Sequence, residues 1–266
     1  MLNGDFAFSV NNKFYNDFKY SNFMETLDFD NKIPTGSKIL DIMLDGGYEK
    51  DAITTIYGPA GSGKTVLCIL CSVGIAKSGK KVIYVDTEGG FSVERLNQIC
   101  SSIKWDYKKV IENIIFLKPT SFEEQKKSFE KLKDLVNDRI GLIVVDTIAM
   151  LYRLEMGKSE EFQDVNRELA NQISCLTEIA RKKNIPILIT NQVYADFDMK
   201  EKVNIVGGDI LKYGSKCLIE LQITPNGNRK AIVRKHRSLK SEKEILFKIV
   251  EGGIIGTTES KGFRLF

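Results

Sequence analysis

Several features that would place the chain in a particular class of protein are missing from its 266 residues. No apolar run approaches the roughly 18 residues that span a bilayer. The first residues, MLNGDFAFSVNNKF, lack the basic start and continuous apolar block of a secretory signal. The five cysteines are an odd number, scattered along a chain too large to need disulfide staples. We therefore expect a cytoplasmic protein with reduced thiols and no membrane partner.

One pair of cysteines, Cys68 and Cys71, has the spacing of two zinc ligands. A tetrahedral zinc site needs four ligands, but no second pair is present and the only histidine, His236, is distant in the sequence. The two cysteines stand at helical spacing among Val, Leu and Ile, and free cysteine is usually buried. We predict that they pack in the core and bind no metal.

The net charge of +4 is small but unevenly distributed. Residues 1–30 are rich in Phe, Tyr and Asn and carry a net charge of −3, whereas Pro225–Lys248 carries +6. Such a basic block is either a solvated face or a surface that contacts phosphates. Residues 1–30 are too short for a domain of their own. We expect an aromatic-rich arm there, laid against the core or docked on a partner, and one core over residues 31–266.

From Ile33 onward, short apolar runs alternate with longer amphipathic ones. After Cys217 the pattern becomes that of strands around a turn, which is typical of antiparallel hairpins. The predicted fold class is α/β, with a mostly parallel central sheet flanked by helices and a C-terminal antiparallel extension. The predicted strands are Ala52–Tyr57, Lys81–Asp86, Ile114–Leu117, Leu142–Asp146 and Ile185–Thr190, and the predicted helices are Lys64–Lys77, Val93–Ser102, Phe122–Val136 and Phe162–Asn184.

A phosphate-binding motif lies between the first of these strands and the first helix. Its glycines let backbone N–H groups point at phosphate oxygens, and the start of the helix adds its positive end. In such loops the lysine neutralises the β- and γ-phosphates and the hydroxyl residue binds Mg²⁺. We predict a site for ATP and Mg²⁺. The match to G-x-x-x-x-G-K-T is complete over Gly58, Pro59, Ala60, Gly61, Ser62, Gly63, Lys64 and Thr65, and Val66 follows.

Polar residues follow three of the predicted strands. Asp146 ends LIVVD and can hold Mg²⁺ through water, or it can serve only as a helix N-cap. Glu88 follows KVIYVD and is the candidate general base that aligns a water on the γ-phosphate. Gln192 offers a neutral amide that can sense the γ-phosphate and signal to the long loop after it. For Asp86, a structural role and an indirect role in the site both remain open.

Together these motifs resemble one family, the RecA-type recombinases of archaea and eukaryotes. The resemblance covers roughly residues 33–250 and implies a RecA-type P-loop ATPase core that acts in DNA repair and recombination near the nucleoid. The motifs occur in the family's order: IPTGS at Ile33–Ser37, the P-loop, DTEGGFSVERL at Asp86–Leu96, LIVVD at Leu142–Asp146, TNQV at Thr190–Val193 and GGDIL at Gly207–Leu211.

The resemblance assigns roles at matching positions. The P-loop matches the Walker A motif and Asp146 matches the Walker B aspartate. Glu88 matches the family's water-activating glutamate, Gln192 its phosphate-sensing glutamine, and Arg95 the arginine that lies over the adenine. The resemblance thus implies hydrolysis of ATP at a Mg²⁺-dependent site.

DNA contacts are also implied, at two loops. Arg153 falls in the family's first DNA-binding loop, and Lys200 and Lys202 fall in the second. Only about thirty residues precede the core, where active strand-exchange members carry a DNA-binding domain of some sixty. No phenylalanine in residues 1–30 belongs to the Phe-x-x-Ala hook that joins neighbouring subunits, and the stretch Lys235–Leu239 is basic where the family is acidic. We therefore expect weak ATPase activity and no filament of the usual kind.

The basic block supplies a second set of candidate DNA contacts. Phosphate contacts need charge but read no sequence, so such binding should weaken steeply with salt. The alternative, a solvated basic face, stays open. The candidates are Arg229, Lys230, Arg234, Lys235 and Arg237.

Three functions are compatible with these features. The first is an accessory recombination protein that binds ATP and single-stranded or branched DNA, hydrolyses ATP slowly, and modulates the main RadA-type recombinase or a Holliday-junction resolvase without exchanging strands itself. The second is a filament-forming strand-exchange ATPase. The third is a RecA-fold signalling or kinase-like ATPase that acts on protein.

Overall fold

The computed structural model describes residues 31–158, 162–195, 203–240 and 242–257. Its strands are β1 Lys32–Ile33, β2 Tyr48–Glu49, β3 Ile53–Tyr57, β4 Lys81–Asp86, β5 Ile114–Leu117, β6 Ile140–Asp146, β7 Ile187–Asn191, β8 Val193–Ala195, β9 Val203–Ile205, β10 Cys217–Ile223, β11 Arg229–Lys235, β12 Glu244–Val250 and β13 Gly253–Gly256. Its helices are α1 Lys38–Met43, α2 Lys64–Lys77, α3 Val93–Ser102, α4 Tyr107–Ile111, α5 Phe122–Leu135, α6 Met150–Met156, α7 Phe162–Lys183 and α8 Gly208–Gly214.

One nine-stranded sheet, in the order β13-β12-β11-β10-β3-β7-β6-β4-β5, forms the centre of the fold. The pairs from β10 to β5 are parallel, and the pairs from β10 to β13 are antiparallel. This arrangement confirms the predicted fold class. The parallel strands β3, β6 and β7 are buried at every position except Gly141, because helices cover both faces of the sheet.

The register of the parallel strands decides where the motifs meet. Tyr57 lies opposite Asn191, and Asp86 lies opposite Asp146. All four residues end their strands at the same edge of the sheet, which is where ligands bind in open α/β folds. The P-loop, the segment after β4, Asp146 and Gln192 are therefore neighbours.

Two hydrophobic clusters fill the core, one on each face of the sheet. Cys68 and Cys71 lie fully buried in the first, on α2, so the prediction that they pack in the core is confirmed. Among the described residues, no group of three or more His, Cys, Asp or Glu side chains is arranged to hold a metal ion. None of the described helices is long and apolar enough to cross a membrane.

The longer predicted elements differ from the structure by at most two residues at an end; the strand predicted from Leu142, for example, begins at Ile140. The short helices α1, α4, α6 and α8 were not predicted, because five to seven residues are too few for a helical period to stand out. Three predictions lie outside the described residues: the arm at residues 1–30, Lys200 and Lys202.

Candidate nucleotide-binding site

Strand β3 and helix α2 hold the P-loop between them. The Gly58 N–H donates to the Asn191 carbonyl at 3.3 Å, and a Cβ on Gly58 would lie 2.3 Å from the Leu221 carbonyl oxygen. Any side chain there would push the loop away from the sheet. Gly63, at the N-terminal end of α2, has a φ of 105° and provides no side-chain cap. The first N–H groups of α2 therefore stay available for phosphate oxygens.

Lys64 lies inside this loop. Its Nζ donates to the carbonyl oxygens of Gly58 and Pro59, each at 2.9 Å, and the residue is 8% exposed. Burial lowers the pKa of Lys64, while Asp146 and Glu88 act in the opposite direction. A buried ammonium whose hydrogen-bond partners among the described residues are both neutral carbonyls favours an anionic ligand. The Ser62 hydroxyl is also buried in the loop without a hydrogen-bond partner among the described residues.

Asp146 is held by two hydroxyl groups. The Tyr84 hydroxyl donates to Oδ2 at 2.8 Å and the Thr190 hydroxyl donates to Oδ1. The side chain is not an N-cap, because α6 begins four residues later, after Ala149. A buried, oriented carboxylate at this edge suits Mg²⁺ held through water. The hydroxyl of Thr65, the second predicted metal ligand, lies beside the segment that follows β4, 3.6 Å from where a Cβ on Gly90 would stand.

The structure brings Glu88 and Gln192 into direct contact. The Gln192 Nε2 donates to Glu88 Oε1 at 2.8 Å, and the Thr147 hydroxyl donates to the same oxygen at 3.1 Å. The candidate base and the candidate sensor are thus linked although they are 104 residues apart. A change at one of these side chains reaches the other through a single hydrogen bond.

Asp86 organises the segment that carries Glu88. Its two carboxylate oxygens accept from the N–H groups of Gly90 at 3.0 Å and Phe91 at 3.3 Å. The ring of Phe91 packs edge-on against Tyr84 and Phe116. Of the two roles left open for Asp86, these contacts support the structural one.

A family model described as Rad51 matches residues 31–257. The chain belongs to the Rad51 family. It is 43% identical over 230 residues to the DNA repair and recombination protein RadB of Methanobrevibacter smithii, a match covering 84% of this chain and 95% of that one. It is also 43% identical over 220 residues to RadB of Methanocaldococcus jannaschii, covering 81% and 98%. A solved structure, the crystal structure of the RadB recombinase, aligns with a TM-score of 0.72 and 36% identity, covering 84% and 99%.

Arg95, which the Rad51 family would place over the adenine, lies half-buried on α3. Ser92 caps this helix by accepting from the Arg95 N–H at 3.1 Å. One guanidinium nitrogen donates to Gln98 at 3.0 Å, while Nη2 is buried without a hydrogen-bond partner among the described residues. Its stacking on a base stays a prediction.

Arg153 differs from the other predicted DNA contacts. It is exposed on α6, just beyond the Walker B strand, and its side chain makes no ion pair or hydrogen bond with the rest of the described chain. Two exposed apolar side chains, Leu154 at 48% and Phe162 at 52%, stand near it in the sequence. Helix α6 therefore presents a cation without a partner among the described residues, next in sequence to the exposed Leu154.

Several cations of the basic block pair with acids within the protein. Lys230 pairs with Glu244 at 2.6 Å. Arg234 pairs with the buried Glu220 at 2.7 Å, on the neighbouring strand. These side chains hold β10, β11 and β12 together, so their net charge toward solvent is smaller than the sequence indicated.

The other three candidate DNA contacts in the block are also engaged within the protein. Arg237 contacts Glu49 at 3.0 Å and Asp51 at 2.8 Å. Lys235 donates to the carbonyl oxygens of Lys212 and Ser215, and burial lowers its pKa. Arg229 donates to the Gly61 carbonyl at 3.2 Å, so it belongs to the surroundings of the P-loop. Their contact with DNA stays a prediction.

Sequence reasoning missed the residues that position the carboxylates. Tyr84 and Thr190 hold Asp146, and Thr147 holds Glu88. Thr190 is the first residue of TNQV and Thr147 directly follows LIVVD, so their position at or next to a strand end was the available signal. Nothing in the sequence around Tyr84 distinguishes it from a core residue.

Proposed function

We propose that this Rad51-family protein is an accessory factor in DNA repair and homologous recombination. It binds ATP with Mg²⁺, hydrolyses ATP slowly and binds single-stranded or branched DNA. It modulates the main recombinase or a junction-cleaving nuclease in the cytoplasm, at the nucleoid, without exchanging strands itself. The observation that carries this proposal is the hydrogen bond between Glu88 and Gln192 next to an intact P-loop.

The nucleotide would be bound by the loop backbone and by Lys64. The Lys64 ammonium is already directed into the loop, and its two carbonyl partners can be exchanged for phosphate oxygens. The Thr65 hydroxyl and the oriented Asp146 carboxylate would hold Mg²⁺, which supplies positive charge to the transferring phosphoryl group. Arg95 would cover the base.

Slow hydrolysis follows from the present partners of Glu88. A general base must be within hydrogen-bond reach of the water from which it takes a proton. Here Glu88 Oε1 accepts from both Gln192 and Thr147. Gln192 must turn away before Oε1, and not Oε2 alone, can accept from water. Since β8 follows Gln192 directly, a ligand on the segment 193–206 can control that step.

DNA binding is proposed for the same edge of the sheet. Arg153 is free to contact phosphate, and the segment around Lys200 and Lys202 begins at β8. A strand bound there would act on Gln192 through the chain that connects them. Because contacts of this kind are mainly electrostatic, affinity should fall steeply with added salt.

The test is ATP turnover with and without single-stranded DNA, at low and high salt. Lys64→Ala should abolish turnover and nucleotide binding, whereas Lys77→Ala, at the far end of the same helix, should leave both unchanged. Turnover that survives Lys64→Ala would show that the activity comes from another site. Filaments with DNA-stimulated strand exchange would favour the competent recombinase instead. Autophosphorylation without DNA binding at any salt would favour the kinase-like ATPase.

A further inference from the structure

Helices α7 and α8 border a groove of about 710 Å³, which we call the α7–α8 groove. Its lining is mainly apolar and includes Ile173 and Ile210. Tyr213 stands at its rim with 78% of its surface exposed. This volume lies in the range of pockets that take up ligands, about 300–1,000 Å³. A large aromatic side chain left open beside an apolar groove indicates a surface that something covers.

The groove continues toward the first described residues of the chain. A smaller hollow of about 240 Å³ shares Thr177, Arg181 and Gly214 with it and extends to Asp51. The N–H of the preceding residue, Lys50, donates to the Asn31 carbonyl at 2.9 Å. Asn31, the first described residue, is therefore bonded to the residue that precedes Asp51 at the end of the smaller hollow.

The charge of the lining residues indicates what kind of segment the groove would bind. Arg181 and Lys216 line the smaller hollow, are exposed, and make no side-chain hydrogen bond or ion pair within the described part of the chain. The acid that lines the main groove, Glu178, is already paired with Lys133 and Lys182. The surface therefore favours an occupant that is both acidic and aromatic.

We propose that residues 1–30 of the same chain bind in the α7–α8 groove. This arm contains six Phe, two Tyr and a net charge of −3, so it matches the groove in both apolar surface and charge. Aromatic side chains of the arm cover Tyr213 and Ile210, and its carboxylates pair with Arg181 and Lys216. The segment lies outside the family match, which begins at residue 31, so the contact goes beyond the nucleotide and DNA sites.

The other terminal segment does not fit the same description. Residues 258–266 carry a net side-chain charge of +1, which repels Arg181 and Lys216. They also follow β13, which forms one edge strand of the nine-stranded sheet, and the Thr257 N–H donates to Leu246 of β12 at 2.9 Å. This tail therefore leaves the core from a different part of the molecule.

Photo-crosslinking in the full chain tests the proposal. A benzophenone amino acid replaces Tyr213, whose exposure makes the exchange harmless to folding, and the crosslinked peptides are identified by mass spectrometry. We expect peptides from residues 1–30. When ¹⁵N-labelled and unlabelled protein are mixed before crosslinking, the two peptides of each crosslink should carry the same label, because both come from one chain. The control carries the same amino acid at Ile255, which is 51% exposed on β13 and should not capture the arm.

Two sets of variants separate specific docking from random collision. Phe14→Ser with Phe18→Ser should lower the crosslink yield about tenfold, because buried aromatic surface is lost. Arg181→Glu with Lys216→Glu should lower it as well, whereas Arg181→Lys with Lys216→Arg should keep it. Crosslinks only to a second chain, to residues 196–202 or to 258–266 would overturn the proposal. So would an unchanged yield in the Phe→Ser protein.

Discussion

Replacing Arg234 by alanine removes the cation that lies 2.7 Å from the Glu220 carboxylate. The Glu220 side chain on β10 is 7% exposed, whereas that of Arg234 on β11 is 36% exposed. The other carboxylate oxygen of Glu220 keeps its bond from the Gln222 amide at 2.6 Å. The substitution therefore leaves one oxygen of a buried charge without its donor, on the side where Arg234 reaches solvent.

The size of the effect follows from this geometry. Removing the partner of a buried charged group lowers the free energy of unfolding by about 1–3 kcal/mol or more. Water that enters from the Arg234 side offsets part of this loss. We expect Arg234→Ala to lower the free energy of unfolding by about 2 kcal/mol in urea titrations. Lys230→Ala is the control on the same strand. Its partner Glu244 is 51% exposed, so the loss should stay below about 1 kcal/mol.

The same variant also bears on DNA binding. Because the charge of Arg234 is neutralised by Glu220, its removal should change the affinity for single-stranded DNA by less than about twofold in fluorescence anisotropy. In the Glu220→Gln background, Arg234→Ala should cost clearly less stability than in the wild-type protein. Unchanged stability together with a large loss of DNA affinity would refute this reasoning and restore Arg234 as a DNA contact.

Two further predictions concern His236 and Arg229. Burial, outweighing Glu49, lowers the pKa of His236 below its ordinary value of 6.5. As the pH falls below about 6.5, the unfolded chain therefore takes up a proton before the folded protein does, and the free energy of unfolding decreases. The substitution His236→Gln should make this decrease smaller, as measured by urea titrations at several pH values. Arg229→Gln should weaken binding of fluorescent ATP about tenfold, since its charged hydrogen bond to Gly61 supports the P-loop. Lys230→Gln, on the same strand, should leave the affinity for ATP unchanged. Equal losses of affinity in the two variants would show that Arg229 does not belong to the nucleotide site.

The fold and the outline of the site follow from local patterns in the sequence. The P-loop needs only a strand, glycines and a helix start in succession, and these are contiguous over residues 53–77. The position of Asp146 is predictable in the same way, because an apolar run that ends in a carboxylate indicates a buried strand with the carboxylate at its C-terminal end. The parallel order of the strands then brings such tips to one edge.

Contacts between distant parts of the chain could not be predicted in the same way. Arg237 and Asp51 are 186 residues apart, so no spacing rule indicates that they pair. A run of basic residues looks equally free whether or not acids from other strands face it. For the same reason the bond from Gln192 to Glu88 depends on the register of β7 against β6 and of β6 against β4.

We propose that Glu88 activates water for hydrolysis in a site that binds ATP without the help of this side chain. Single-turnover hydrolysis and ATP binding, measured together for Glu88→Gln, test this most directly. General-base catalysis contributes about 10²–10⁴-fold, so turnover should fall at least about a hundredfold while the Kd for ATP stays within about threefold. Glu94→Gln, an exposed glutamate in the first turn of α3, should change neither quantity. Turnover that persists in Glu88→Gln would show that Glu88 is not the general base.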